Sequence, residues 1–130
     1  MVTGIGIDIV EVNRLDKAIA HEHFVERVFT PDEVRYCRSR GKQAAQSFAA
    51  RFAGKEAILK AFGTGLRGGS LTELEILPDE LGCPQVHLKG HFADFARKKG
   101  VKNIWLSLTH TKEYAAAQCV MEAEDENSNK

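Results

Sequence analysis

A carboxylate and an amine one helical turn apart, Glu56 and Lys60, are the residues of this sequence best placed to do chemistry. They lie in a segment, residues 43–62, whose apolar residues recur at helical spacing and predict one long helix. Glu56 lies at the edge of the apolar face of that helix, and Lys55 lies on its other side. A charged group there costs desolvation free energy unless something pairs with it. The apolar stripe consists of Phe48, Phe52 and Leu59.

Two interpretations of this pair are open at this point. Glu56 and Lys60 could form an ordinary ion pair across one helical turn, which stabilises a helix by only a few tenths of a kcal/mol. They could instead belong to an active site in which a carboxylate and an amine face a ligand. Their spacing fits both interpretations equally well, so the rest of the chain has to decide.

Composition describes an ordinary soluble domain with an uneven charge distribution. The 130 residues are 43% apolar and 28% charged, with a formal net charge of zero, which is enough for one domain with one core. A basic patch on a neutral protein fits one acidic partner better than bulk nucleic acid, although a merely solvated helix face is the alternative. The patch consists of Arg35, Arg38, Arg40 and Lys42, and the acidic residues gather in the tail from Glu122.

The cysteines and the amino terminus indicate the compartment. Cys37, Cys83 and Cys119 are odd in number and far apart, which is typical neither of a disulfide framework nor of a zinc site. The amino terminus has no basic segment followed by a long apolar run, and no stretch is apolar enough to predict a membrane span. A reducing cytoplasm is the expected location.

A second carboxylate, Asp8, lies near the end of a predicted first strand, residues 2–10. Ile5, Ile7 and Ile9 alternate with Gly4, Gly6 and Asp8, so Asp8 lies on the face opposite the isoleucines. We expect the glycines beside it to leave room for a ligand. The alternative is that Asp8 only caps the helix predicted over residues 12–20.

The remaining patterns predict an α+β fold, a single domain with an antiparallel sheet and one long central helix. Thr30, Pro31 and Glu33 predict a helix start, with Thr as N-cap and Pro in the first turn. The domain is expected to span residues 1–121, followed by an acidic, disordered tail over residues 122–130. The other predicted elements are a glycine-rich loop over residues 63–69, strands over residues 71–77, 85–88, 103–111 and 114–121, and a helix over residues 91–99.

Three segments in this order resemble one known family. They are Gly6-Ile7-Asp8 with Arg14 after it, the run Arg51-Phe52-Ala53-Gly54-Lys55-Glu56-Ala57 with Lys60, and the run from Ser107 through His110 and Thr111 to Ala115. A chain of this length with these segments resembles the holo-acyl-carrier-protein synthases, the small bacterial phosphopantetheinyl transferases. The resemblance extends from Gly4 to about Val120. Thr109 departs from the serine that family members often carry there, but it keeps the hydroxyl.

The resemblance implies an activity and a metal. Members of this family move the phosphopantetheine arm of coenzyme A onto a serine of apo acyl carrier protein and release adenosine 3′,5′-bisphosphate, in support of fatty acid biosynthesis. Asp8 and Glu56 match the family's magnesium ligands, and Mg²⁺ prefers one or two carboxylates together with phosphate oxygens and waters. Lys60 matches the lysine that steadies the pyrophosphate charge. These three residues are therefore the predicted catalytic residues.

The resemblance also implies how coenzyme A, the carrier protein and a second subunit are bound. Arg14 matches a position on the helix that docks the acidic recognition helix of the acyl carrier protein. The family forms homotrimers with active sites at subunit interfaces. Residues at positions that bind the nucleotide and its phosphates are Arg51, Lys60, Gly63, His110 and Thr111.

Two questions stay open on sequence alone. The general base is either Asp8, acting through a metal-bound water, or Glu56 directly; the water-mediated route is preferred. The closest rival enzyme is a nucleotide hydrolase that uses the same carboxylates and Mg²⁺ and needs no protein acceptor. A nucleic-acid-binding module is the weaker rival, since the sequence has neither a basic total nor interleaved aromatic residues.

Overall fold

The computed structural model describes residues 1–124, and the predicted tail from residue 125 onward lies outside the described residues. Within residues 1–124, five α-helices and five strands form an α+β arrangement, and short 3₁₀ turns over Gly41–Gln43 and Leu71–Glu73 precede α4 and β2. Within residues 1–124, no helix combines the length and the apolar character needed to cross a bilayer. The elements are β1 (Val2–Glu11), α1 (Val12–Ala18), α2 (Glu22–Val28), α3 (Pro31–Arg38), α4 (Ala44–Phe62), β2 (Leu74–Pro78), β3 (Pro84–Leu88), α5 (Gly90–Lys98), β4 (Val101–His110) and β5 (Tyr114–Ala123).

The sheet is antiparallel, as predicted, with the strand order β1-β5-β4. Asp8 pairs with Ala117 of β5, and Ala117 pairs in turn with Leu108 of β4. β2 and β3 form a separate two-stranded hairpin. Asp8 and His110 therefore lie on the two outer strands of the three-stranded sheet, with β5 between them.

The long central helix, α4, crosses one face of this sheet and has 19 residues. Twelve of them are buried, on every side of the helix, because β1, β5, α1 and α3 all pack against it. The prediction of a single apolar stripe was therefore too narrow. Phe48 and Leu59 are buried as expected, but Phe52 is only partly buried.

Gly4 and Gly6 allow β1 to approach α4 closely. A Cβ at Gly4 would lie 2.1 Å from the carbonyl oxygen of Ala61, and a Cβ at Gly6 would lie 1.9 Å from that of Ala57. The expectation that these glycines leave room for a ligand was wrong, since the helix backbone fills that space. Their role is to bring Asp8, which follows them on the same face, up to α4.

Replacing Gly6 by alanine is expected to destabilise the protein by more than about 3 kcal/mol, because the clash is with helix backbone and no rotamer change relieves it. Gly41→Ala is the matched control: its φ is +61° but no atom lies within 4 Å of the added Cβ. Its cost should stay near 1 kcal/mol, the usual cost of a left-handed non-glycine residue. Urea unfolding of both variants measures the difference. Equal destabilisation would contradict the close-approach role of Gly6.

A buried ion pair connects α4 to α3 and to the hairpin. The Lys55 Nζ donates to Glu33 Oε1 at 2.8 Å and to the carbonyl oxygens of Leu71 and Leu74 at 2.8 and 2.9 Å. Both side chains are fully buried. The second oxygen of Glu33 accepts from the backbone N–H of Ile76 at 2.8 Å. Burial lowers the pKa of Lys55, and the neighbouring Glu33 carboxylate opposes that shift.

The predicted start of α3 is confirmed, and one helix was missed. Thr30 caps α3 through a capping box with Glu33, and Pro31 opens the helix. α2 was not predicted, because its N-cap residue, His21, makes no side-chain cap hydrogen bond that a sequence pattern could reveal.

Two predicted boundaries move. The strand predicted from Leu71 begins at Leu74, because Ser70 and Glu73 cap a 3₁₀ turn over Leu71–Glu73 instead. β5 continues through Ala123, two residues into the segment predicted as tail. Glu122 pairs with Val2 on one side and with Asn103 on the other, so the ladder extends β5 past the predicted boundary.

The sheet face turned away from α4 exposes apolar side chains. Ile5, Ile7 and Ile9 are 69%, 68% and 66% exposed, and Trp105 of β4 is 58% exposed. Contiguous apolar surface of this kind is typical of an interface with another macromolecule.

Candidate active site

Asp8 and Lys60 meet on the flank of α4 that faces β1. The Lys60 Nζ donates to Asp8 Oδ1 at 3.1 Å and to the carbonyl oxygen of Ile7 at 3.0 Å. The Asp8 side chain is 18% exposed and that of Lys60 is 54% exposed. Sequence spacing allowed an ordinary pair between Lys60 and Glu56, but the hydrogen-bonded partner of Lys60 is Asp8, on a different element.

Glu56 completes this group, which we call the acidic cluster: Asp8, Glu56 and Lys60. The pKa of Glu56 is raised above that of an ordinary glutamate, first by burial and then by the negative charge of Asp8. Lys60 and Arg14 oppose the shift. Glu56 therefore lies within electrostatic reach of all three residues, and two carboxylates that repel each other are held beside one amine.

The acidic cluster suits a hard cation. Within residues 1–124, no group of three or more His, Cys, Asp or Glu side chains is arranged to hold a metal ion, and the acidic cluster offers two carboxylates, Asp8 and Glu56. That donor set fits Mg²⁺, which usually takes one or two protein carboxylates and completes its shell with phosphate oxygens and water. A bound cation would also relieve the repulsion that raises the pKa of Glu56.

Arg51 and His110 form a second group, on the other flank of α4. Both line a small cavity of about 150 Å³ between α4, β4 and the β2–β3 turn, together with Tyr36, Arg40 and Ser47 among others. Arg51 is 6% exposed. Its Nη1 donates to the Ser47 hydroxyl at 3.2 Å and to the Ser47 carbonyl oxygen at 3.5 Å.

The Arg51 guanidinium has a hydrogen-bond donor and a positive charge that no described residue pairs with. Its Nε is the one buried side-chain nitrogen or oxygen in residues 1–124 without a hydrogen-bond partner. Within the same residues, no carboxylate forms an ion pair with Arg51. Because a buried unpaired charge is costly, this cavity favours a negatively charged ligand.

Gly63 and Thr111 lie at the ends of elements near these groups. Gly63 ends α4 in the left-handed conformation, with φ of 78°, three residues after Lys60. A helix C-terminus carries partial negative charge, so Gly63 suits the base or ribose of a nucleotide better than its phosphates. Thr111 follows His110 and its hydroxyl accepts from the backbone N–H groups of Glu113 and Tyr114, which fixes the β4–β5 turn.

Arg14 lies on α1 beside the acidic cluster. It lines a shallow groove of about 490 Å³ with Lys17 and His21, and its charge lowers the pKa of Glu56. The groove, which Glu11 also lines, is thus a mainly basic surface within electrostatic reach of the acidic cluster. Sequence reasoning placed Arg14 and Lys17 on this helix but did not name His21 as part of the surface. It also missed Tyr36 and Ser47 at the Arg51 cavity, because no local pattern connects them to Arg51.

Residues 4–119 match the family described as the 4′-phosphopantetheinyl transferase superfamily. This chain belongs to that family. The holo-acyl-carrier-protein synthase of Ruminiclostridium cellulolyticum is 45% identical over 129 residues, covering 97% of this chain and 96% of that protein. The resemblance inferred from the three sequence segments is confirmed.

Solved structures of the family share the fold. The holo-acyl-carrier-protein synthase of Neisseria meningitidis superposes with a TM-score of 0.85 at 33% identity, covering 94% of this chain and 99% of that chain. The synthase of Bacillus anthracis, solved in complex with CoA (3′,5′-ADP), gives a TM-score of 0.79 at 35% identity, covering 95% and 99%. The predicted α+β class, antiparallel sheet and long helix are confirmed.

Proposed function

We propose that this protein is a holo-acyl-carrier-protein synthase: it transfers the 4′-phosphopantetheine arm of coenzyme A to a serine hydroxyl of apo acyl carrier protein. The observation that carries the proposal is the acidic cluster, in which Asp8, Glu56 and Lys60 come together from β1 and α4 in a chain of this family. The products are holo acyl carrier protein and adenosine 3′,5′-bisphosphate. The reaction serves fatty acid biosynthesis.

In this reaction a bond forms between the serine oxygen and the β-phosphorus of coenzyme A. The bond from that phosphorus to the bridging oxygen breaks, and the oxygen leaves with adenosine 3′,5′-bisphosphate. Lys60 stabilises the charge that develops on the pyrophosphate and on the leaving oxygen. Its hydrogen bonds to Asp8 and to the Ile7 carbonyl hold the ammonium group in place before substrate arrives.

Asp8 and Glu56 would hold Mg²⁺, which supplies charge neutralisation of the pyrophosphate when it is bound. The serine proton needs an acceptor, for which Asp8 through a water and Glu56 directly are the two candidates. Burial and the negative charge of Asp8 raise the pKa of Glu56 in the absence of a metal, and a bound cation would oppose that rise, so each candidate base would be an ionised carboxylate beside the metal.

The Arg51 cavity would hold the 3′-phosphate of coenzyme A. It offers a buried cation with no ion-pair partner among residues 1–124, a free Nε–H, and His110 at its wall. A phosphate accepts several hydrogen bonds from arginine and satisfies a charge that the fold leaves unpaired. Gly63 and Thr111 would contact the neutral parts of the nucleotide.

The acidic cluster of one subunit and the Arg51 cavity of another together form each complete site. Positions 51 and 56 lie about 140° apart around a helix, at 100° per residue. Asp8 and His110 lie on opposite outer strands, about 10 Å apart at the spacing of neighbouring strands. Since the acidic cluster and the Arg51 cavity face opposite flanks of α4, one nucleotide bridges them best when they come from different copies. The exposed isoleucines of β1 supply an apolar surface for that assembly, and the family resemblance favours a homotrimer.

Mixing two inactive variants tests the shared site. Glu56→Gln and Arg51→Ala are each expected to be nearly inactive. When equal amounts of the two are co-expressed and assemble at random, about a quarter of all sites, and about one site in each mixed trimer, should combine an intact acidic cluster with an intact Arg51 cavity. Transfer activity should therefore recover toward that fraction. An absence of recovery in mixed trimers confirmed by native mass spectrometry would mean that each site lies within one chain.

The groove along α1 would dock the carrier protein. Arg14 and Lys17 present positive charge to an acidic recognition helix, and Arg14 is close enough to Glu56 to influence its pKa. The docked carrier would thus place its serine beside the acidic cluster. Cys37, Cys83 and Cys119 are all free thiols, which supports the expected cytoplasmic location.

Intact-mass spectrometry of apo acyl carrier protein tests the function. Incubation with this protein, coenzyme A and Mg²⁺ should add the mass of one phosphopantetheine arm, and EDTA should abolish the gain. Cleavage of coenzyme A without a mass gain on a competent carrier protein would favour the rival hydrolase. If coenzyme A is not cleaved and a competent carrier protein gains no mass, the proposal is overturned.

A further inference from the structure

Tyr36, on α3, lies against the guanidinium group of Arg51, on α4. The Cζ atom of Arg51 is 4.4 Å from the centroid of the Tyr36 ring, and that of Arg40 is 5.8 Å from it. A cation this close to an aromatic face is attracted to the ring's electron density. Both arginines and the tyrosine line the same cavity.

The ring holds Arg51 without neutralising it. The hydrogen bonds of the guanidinium go to Ser47, one turn earlier in α4, and they use only Nη1. A carboxylate in the place of Tyr36 would fix the arginine equally well, but it would cancel the charge and occupy the donors. A ring and a hydroxyl leave the full positive charge and the Nε–H available to an incoming anion.

The position of Tyr36 is itself fixed. α3 begins at the capping box between Thr30 and Glu33, and the buried pair of Glu33 with Lys55 joins α3 to α4. The Ser47 hydroxyl also contacts the Cys37 sulfur at 3.3 Å, next to Tyr36 in sequence. The two helices are therefore joined on either side of the contact between the ring and the guanidinium.

We infer that Tyr36 is a positioning residue that makes the Arg51 cavity selective for nucleotides bearing a 3′-phosphate. The inference rests on the proposed function, which assigns that phosphate to the cavity. Tyr36 acts through Arg51: it fixes the guanidinium plane so that the Nε–H and the charge face the ligand. Without the ring, Arg51 is free to adopt other rotamers. Ligand binding must then order the side chain, and the conformational entropy lost weakens binding.

The test compares coenzyme A with 3′-dephospho-coenzyme A as donors for wild type, Tyr36→Leu and Tyr36→Phe. For Tyr36→Leu we expect KM for coenzyme A to rise about five- to tenfold, in the range of a desolvated cation–π contact, with kcat little changed. KM for the dephospho donor should stay near that of wild type. Tyr36→Phe retains the ring and should recover most of the preference for the 3′-phosphate.

The two donors separate the possible failures. If wild type does not prefer coenzyme A, the assignment of the 3′-phosphate to the Arg51 cavity is wrong. If wild type prefers it and Tyr36→Leu keeps the whole preference, the positioning role is wrong and the transferase stands. A loss of activity with both donors in proportion would identify Tyr36 as a purely structural residue and would also overturn the inference.

Discussion

Glu56→Gln is expected to lower the rate of phosphopantetheine transfer by about 10²- to 10⁴-fold, the range typical of losing a general base. The amide cannot accept the serine proton, and it also removes one of the two carboxylates proposed to hold Mg²⁺. The measurement is the initial rate of holo acyl carrier protein formation at saturating Mg²⁺. Asp94→Asn on α5, an exposed carboxylate paired only with Arg97, is the matched control and should keep wild-type activity.

The same variant is expected to be more stable than wild type when no metal is present. Burial and Asp8 raise the pKa of Glu56 in the folded protein, so the folded state disfavours the ionised carboxylate. The wild-type protein therefore loses stability as pH rises from the ordinary glutamate pKa, about 4.3, through the raised folded pKa. The amide carries no such cost. The stability advantage of Glu56→Gln should therefore be absent below the ordinary glutamate pKa and constant above the raised pKa of the folded protein.

Thermal unfolding of both proteins in EDTA, as a function of pH, measures this difference. Added Mg²⁺ should stabilise wild type and leave Glu56→Gln nearly unchanged, because ligand binding stabilises the folded state that binds it. A variant that lost activity while losing stability at neutral pH would contradict the electrostatic account of Glu56. It would indicate that the side chain supports the fold and not the reaction.

Lys55→Met is expected to destabilise the protein by about 3–5 kcal/mol, the usual cost of removing one partner of a buried ion pair. Methionine approximates the length of the lysine stem, so little volume is lost. The cost arises because Glu33 is left as a fully buried carboxylate without its cation, and the carbonyl oxygens of Leu71 and Leu74 lose their donor. The measurement is the free energy of unfolding in urea.

A double-mutant cycle shows whether the pair itself is responsible. Glu33→Gln in the Lys55→Met background removes the orphaned charge and should restore a substantial part of the stability. Lys102→Met removes an exposed ion pair with Glu124 and should change stability by no more than about 1 kcal/mol. Additive losses in the cycle would mean that Lys55 and Glu33 stabilise the fold independently of each other.

The residues of the proposed site were named from the sequence, whereas their partners in the fold could not be predicted. The charges at Lys55, Glu56 and Lys60 beside an apolar face called for partners, and the structure supplies them from other elements. Lys55 is paired with Glu33, 22 residues away, and Lys60 with Asp8, 52 residues away. Helical spacing alone offered Glu56 as the partner of Lys60, because a local pattern contains only neighbours along the chain.

The sequence by itself determined the family, the alternation along β1, the presence of the long helix α4 and the start of α3. Alternation in β1, periodicity in α4 and the capping box at Thr30 act over a few residues, so they can be read without knowing the fold. Only the tertiary structure decided that Gly4 and Gly6 admit a helix instead of a ligand, that the isoleucines of β1 face outward, and that Tyr36 holds Arg51. Each of these depends on which elements pack together, and packing is decided by the whole chain.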